Sequence, residues 1–391
     1  MKILIITYSR EVNPGTFLQA YGVQYVFHQL YPDAKIYLIK HKRMYSMAAE
    51  KKNANAKRES KLSFINAKVR AVPRRLKYEI GYKTRFNLTK KEFDFFDYND
   101  DEFKAFAESY DLIVVGSDTI LINLERQGHY GLMWLCGVNT QKILFAASAA
   151  PANFTMNEQQ CKELYESFST FKFLGVRDRI TLGLLRDEIG LGDRVYIQYD
   201  PTYLIPETEF SLPYLIRKKL EHIRKRQKIA LVNFSVTGCP FKREMTEFLK
   251  SQGFYTISTL YNESADSNLM SLSPFNWAAM FQYVDLSVTE RFHDTVFSLR
   301  NCKPVIAIDW NEKRFSKDGF SKTQNILAQY GLEYNHFIVK DKDSINDVFD
   351  YIKNTSMEKQ IGLIEQHNIE IFKEYKTLME RIKETLGIIY K

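Results

Sequence analysis

An arginine and a histidine two residues apart, Arg291 and His293, stand in the stretch Thr289-Glu290-Arg291-Phe292-His293-Asp294-Thr295-Val296-Phe297-Ser298. Apolar runs flank it, Tyr283 to Val288 before and Pro304 to Ile308 after. They read as successive strands with a short helix between them. The pair therefore falls at a strand-to-helix junction, where the first backbone N–H groups of a helix lack partners within it. A permanent cation, a titratable imidazole and helix-terminal donors suit an anionic substrate whose reaction moves a proton. In an extended stretch side chains alternate with period two, so both residues would face one side. The other reading is a surface arginine and a core histidine capping a helix, and the elements around them have to decide.

Those elements form two similar series. Lys2 to Tyr8 is an apolar run of the kind that makes a central parallel strand. A turn with Asn13, Pro14 and Gly15 follows, and then Phe17, Ala20, Tyr21, Val23, Gln24, Phe27 and Leu30 at helical period. Further strands are expected at Lys35–Ile39, Asp111–Asp118, Lys142–Ser148, Phe173–Arg177 and Val195–Tyr199, with helical patterns between them. The second series begins at Ile229–Phe234, continues with a helix over Phe241–Gln252 and a strand over Tyr255–Leu260, and takes in the Arg291/His293 junction. The expected class is α/β, two Rossmann-like domains facing across a cleft. The expected boundaries are 1–205, with a basic insertion at about 41–91; a charged bridge at 206–227; 228–355; and terminal helices at 356–391 whose apolar face crosses back.

The chain has 391 residues, 45% of them hydrophobic, and a net charge of +8. Lys40 to Lys91 holds seventeen basic residues against three acidic ones, so the basic character belongs to this segment and the rest of the chain is acidic. A solvated insertion, an anionic membrane surface or a large anionic acceptor would each fit. Nucleic acid is not expected, because no nucleic-acid module accompanies the charge. Cys136, Cys161, Cys239 and Cys302 lack metal-ligand spacing, so neither a metal site nor a disulfide framework is expected. No stretch approaches the roughly 20 apolar residues of a membrane span. A cytoplasmic protein is expected, with peripheral contact to the inner membrane face through the basic segment.

Several short patterns occur in order along the chain. They are Asn13-Pro14-Gly15-Thr16-Phe17-Leu18-Gln19-Ala20-Tyr21, Val115-Gly116-Ser117-Asp118, Ala146-Ala147-Ser148, Val176-Arg177-Asp178, Asp200-Pro201-Thr202, Ser273-Pro274 with Trp277, and Thr289 to Ser298. Together they resemble the polysaccharide pyruvyl transferases, which move pyruvate from phosphoenolpyruvate onto sugar hydroxyls as a ketal. Departures lie at Asp294, where relatives carry a small residue, at Thr119-Ile120-Leu121-Ile122-Asn123, and at Ala149-Ala150-Pro151.

The resemblance implies a GT-B-like architecture, phosphoenolpyruvate as donor, no cofactor, and a lipid-linked or free saccharide of capsule or exopolysaccharide synthesis as acceptor. A carboxylate and a phosphate on one donor ask for two cations, and arginine forks match both groups. Arg177 and Arg291 are expected to hold the donor, with Phe292 beside them. His293 is expected as the acid/base group and Asp118 as a second carboxylate that positions hydroxyls or takes a proton. Asn13, Gly15, Ser117, Ser148, Asp294 and Thr295 are placed in the cleft or against the acceptor. Two other functions use the same residues: a nucleotide-sugar glycosyltransferase, and a non-catalytic carbohydrate- or membrane-binding protein.

Overall fold

The computed structural model describes residues 1–42, 61–95, 100–121, 135, 137–153, 155–234 and 239–387, with the backbone alone for 61–71. The basic residues Arg43, Lys51, Lys52, Lys57 and Arg58 and the positions Ile122 and Asn123 lie outside them.

Two parallel sheets carry the chain. The first is built from β1 (Lys2–Ile6), β2 (Lys35–His41), β3 (Leu88–Phe93), β4 (Leu112–Val115), β5 (Gln141–Ala147), β6 (Phe173–Val176) and β7 (Val195–Ile197), in the order 3-2-1-4-5-6-7. The second has β8 (Ile229–Asn233), β9 (Tyr255–Ser258), β10 (Ser267–Asn268), β11 (Leu286–Thr289), β12 (Val305–Asp309) and β13 (His336–Ile338), in the order 10-9-8-11-12-13. The central strands β1, β4, β5, β8, β11 and β12 are buried almost throughout, which is why they read as unbroken apolar runs. In each sheet the chain order reverses at one place, between β1 and β4 and between β8 and β11. Ligands of doubly wound sheets gather outside the carboxyl ends of strands at such points.

The helix Pro14–Leu30 starts where Asn13 caps it, the Asn13 side chain accepting from the Gly15 N–H, with Pro14 in the first turn. It is buried on nearly every side, because both lobes close over it. Phe17 and Tyr21 meet Phe275 of the second lobe edge-on, with ring centroids 6.0 Å and 4.9 Å apart. One apolar cluster consequently runs from Ile3 through Phe275 to Leu386. The expected terminal helices are a single helix, Glu358–Leu386. Its Asn368 donates to the Leu299 carbonyl at 2.9 Å, and farther on Tyr375 donates to the Tyr199 carbonyl and Arg381 to the Tyr196 hydroxyl, so it crosses from the second lobe back to the first.

The basic segment differs from the expected insertion. Lys61–Arg85 is a helix and Leu88–Phe93 an edge strand paired in parallel with β2, so this portion is a crossover unit of the sheet. The edge strand was not legible because Lys90, Lys91 and Glu92 interrupt its apolar pattern, as charges on edge strands do. The helix has two faces. Arg74, Tyr78 and Tyr82, four residues apart, are buried, whereas Val72, Leu76 and Ile80 are 61%, 61% and 52% exposed. Among the described residues no helix is long and apolar enough to cross a membrane.

Candidate active site between the lobes

The carboxyl ends of both sheets meet at one polar cluster. Arg177 follows β6 and lies almost wholly buried. Its guanidinium pairs with the Asp200 carboxylate at 2.9 Å, lies 3.7 Å from Asp118, and sits over the Phe292 ring of the second lobe at 4.8 Å from the centroid. Asp200 Oδ2 also accepts from Gln19 in the first helix, while Oδ1 accepts from the Thr202 hydroxyl at 2.7 Å. Asp118 ends the turn after β4 with φ of 72°, a left-handed conformation that Asp tolerates better than most residues. Gly116 within that turn has φ of 135°, and a Cβ there would lie 1.9 Å from the Phe145 carbonyl oxygen. Only glycine fits.

The second lobe contributes Arg291 and His293 from the junction after β11. Arg291 donates to the Asn13 side chain at 3.3 Å, across the lobes, and its Nη1 lies 3.9 Å from Asp294. His293 is buried, its Nε2 lies 4.0 Å from Asp200 Oδ2, and that nitrogen makes no hydrogen bond. Burial pushes the imidazole down to about 4; Asp200 and Asp118 pull it upward, and Arg177 and Arg291 push it further down. For Asp118, burial favours the neutral acid, but Arg177, His293, a hydrogen bond from Thr16 and Lys322 together hold it below the usual range. Lys322 is pushed down to about 8, by burial first and then by the charge of Arg177.

Gly15 is the floor under the imidazole. A Cβ on it would fall 2.0 Å from the Cγ and Nδ1 of His293. Gly15→Ala must displace the ring or the helix that carries it. A displacement of an ångström in a reacting group costs about 100-fold in rate. The variant is expected to show that loss, read as turnover per folded molecule beside a thermal melt.

The structure thus unites Asn13, Gly15, Asp118, Arg177, Arg291, Phe292 and His293. Ser117 and Ser148 are buried beside them and shape the Asp118 turn: the Ser117 carbonyl accepts from Thr7 at 3.0 Å, and Ser148 N–H donates to the Asp118 carbonyl at 2.9 Å. The expectation that Asp294 and Thr295 touch an acceptor is corrected. Both are 0% exposed. Asp294 accepts from Asn233 at 2.8 Å and Thr289 at 2.9 Å, and the Thr295 hydroxyl donates to the Arg291 carbonyl, so both brace the junction from beneath. Glu290 likewise turns to Trp310 and Arg314. Asp200 and Gln19 belong to the patterns quoted above yet carried no expected role, and Lys322 gave no signal in sequence.

A family model described as polysaccharide pyruvyl transferase matches residues 13–312, a span that opens on Asn13 and includes both arginines and the histidine. The chain belongs to this family. Lys322 lies beyond the matched span. No curated protein matches it in sequence. Among solved structures, Anabaena HepE in complex with UDP is similar at a TM-score of 0.54 and 11% identity, covering 100% of each chain. Staphylococcus aureus MnaA with UDP gives 0.54 and 10%, covering 100% of this chain and 98% of that one. The Methanocaldococcus jannaschii UDP-GlcNAc 2-epimerase with UDP-GlcNAc and UDP gives 0.51 and 9%, covering 91% and 94%. At such identities the likeness establishes the fold, which is GT-B-like as the family resemblance implied.

Proposed function

We propose that this pyruvyl transferase uses phosphoenolpyruvate as donor and builds a pyruvate ketal on a sugar of a surface-polysaccharide precursor, releasing phosphate. The observation that carries the reading is the placement of two guanidiniums, Arg177 and Arg291, on opposite lobes around a buried imidazole with an unpartnered Nε2. The guanidiniums supply the two cations that a carboxylate and a phosphate on one small molecule require. The neutral imidazole takes the proton of an attacking sugar hydroxyl, whose oxygen bonds to C2 of the donor while C3 gains a proton and becomes a methyl group. The C3 proton is the one His293 has taken from the hydroxyl, so the imidazole is neutral again when the methyl group has formed. A second hydroxyl then replaces phosphate at C2, and its proton leaves with the phosphate. Asp200 stabilises the imidazolium formed in the first step, and Asp118 orients the acceptor hydroxyls.

The test is phosphate release. It is expected from phosphoenolpyruvate in the presence of a saccharide acceptor; release of a nucleotide from sugar nucleotides, with none from phosphoenolpyruvate, would overturn the reading in favour of a glycosyltransferase. Arg291→Lys is expected to weaken donor binding about tenfold by titration calorimetry, because a point charge cannot form the fork.

The acceptor is a lipid-linked saccharide met at an anionic membrane face. The exposed stripe of Val72, Leu76 and Ile80 supports this, because it shares its helix with the exposed Arg75 and Lys83. Arg74 takes no part in that surface, since it faces inward, and Lys77 donates to the Ser271 carbonyl at 2.7 Å. Each basic residue near such a surface adds about 1 kcal/mol. Binding to phosphatidylserine vesicles is expected at low salt and to fall steeply as salt rises. L76D with I80D should abolish it and leave turnover on a short soluble acceptor intact.

A further inference from the structure

The inward face of the helix Lys61–Arg85 brings a third guanidinium to the site. Arg74 is 9% exposed and donates from Nη1 to the Thr259 carbonyl at 3.3 Å, just beyond the end of β9. Its Nε is buried without a partner, and its guanidinium lies 5.5 Å from the Tyr78 ring centroid. One long hydrogen bond and one aromatic face are little compensation for a desolvated cation.

Two steps of hydrogen bonding lead from it to the catalytic junction. The Thr259 hydroxyl accepts from Asn233 at 2.8 Å, and the same Asn233 amide nitrogen donates to Asp294 Oδ2 at 2.8 Å. Asp294 in turn lies 3.9 Å from Arg291 Nη1, which is also buried without a hydrogen bond. Arg291 thus faces the Asp294 carboxylate directly, and Arg74 is linked to it through Thr259 and Asn233. That carboxylate has already given Oδ2 to Asn233 and Thr289. Arg291, at the reversal between β8 and β11, and Arg74, at the end of the neighbouring β9, bring positive charge and unused donors to strand ends of the kind where doubly wound sheets bind ligands.

We propose that Arg74 is an anion-binding residue of this cleft, delivered from the first lobe to the strand ends of the second, and that it shares with Arg291 one oxyanion of a bound substrate. The oxyanion is a carboxylate or phosphate oxygen, and it has two possible sources: phosphoenolpyruvate, or the phosphate through which a saccharide acceptor is carried. Naming phosphoenolpyruvate rests on the proposed function; the anion site itself does not.

The experiment is titration calorimetry of the full chain with phosphoenolpyruvate, inorganic phosphate and uridine diphosphate, the last as a soluble diphosphate. Wild type, R74M, R74K and R291M are compared, each with a thermal melt. R74M is expected to weaken one of these probes by about 10- to 100-fold, the worth of a hydrogen bond to a charged group, and R74K to recover part of it. R74M combined with R291M should lose less than the product of the two single effects, as residues sharing one ligand group do. The probe that loses affinity identifies the source of the oxyanion. If wild type binds diphosphate or phosphate through Arg74 but ignores phosphoenolpyruvate, the donor reading fails and the Arg74 site stands. Unchanged affinity for all three probes in folded R74M overturns the proposal. Should R74M melt below the titration temperature, R74K decides: a lysine that keeps the full affinity of wild type for every probe also overturns it.

Discussion

His293→Gln is expected to lower turnover by about 10²–10⁴-fold in a protein that remains folded, the usual contribution of a positioned acid or base. Glutamine keeps a polar group above Gly15 but cannot accept and return a proton near neutral pH. The same variant has a signature in stability. His293 in the folded protein titrates near 4 against an ordinary 6.5. As pH falls through that window the unfolded chain takes up the proton first, so stability is full above about 6.5 and declines until about 4. His41, also pushed down to about 4 by burial, contributes a parallel decline that the variant retains. His293→Gln should therefore lose less stability than wild type between those limits, in denaturant titrations run at several pH values. Turnover per folded molecule equal to wild type would show the imidazole to be a packing group only.

Arg177→Ala is expected to cost both donor binding and about 3–5 kcal/mol of stability, the usual effect of stripping one partner from a buried ion pair. The Arg177 and Asp200 side chains are 3% and 1% exposed, so water cannot replace the lost guanidinium. Asp118 would lose its nearest cation as well. Adding Asp200→Asn should restore part of the stability, because the orphaned charge is then gone, and should restore none of the donor binding. Urea unfolding of the single and double variants separates the two effects. Equal stability of Arg177→Ala and wild type would show that the pair is not the buried link described above.

The central strands and the strand-end residues were legible because each is coded locally. An apolar run marks a buried parallel strand, and the residues just after it fall at the cleft; Asp118, Arg177, Arg291 and His293 were all found so. Asp200 and Gln19 were not assigned, since their contact joins positions 181 residues apart and neither carries a local chemical mark. Lys322 follows a serine cap in a helix of ordinary composition. The inward turn of Arg74 could not be read from the basic segment, because charge density says how basic a segment is and nothing about which helix face a given residue occupies. The turn of the helix settles that: Arg74 and Leu76 are two residues apart and point to opposite sides.

One rod thus carries two audiences. The helix Lys61–Arg85 holds Arg74 and Tyr78 against the second lobe and lifts Val72, Leu76 and Ile80 outward. A rigid element cannot be shifted on one side alone. Any ligand that favours one seating of the helix must be favoured by it in return, by the same factor. If substrate in the cleft and contact on the outer face both favour one seating of the helix, each strengthens the other, and a tenfold coupling takes only about 1.4 kcal/mol. Were the outer face to meet the proposed membrane surface, the small substrate would be held more tightly where the large one is carried.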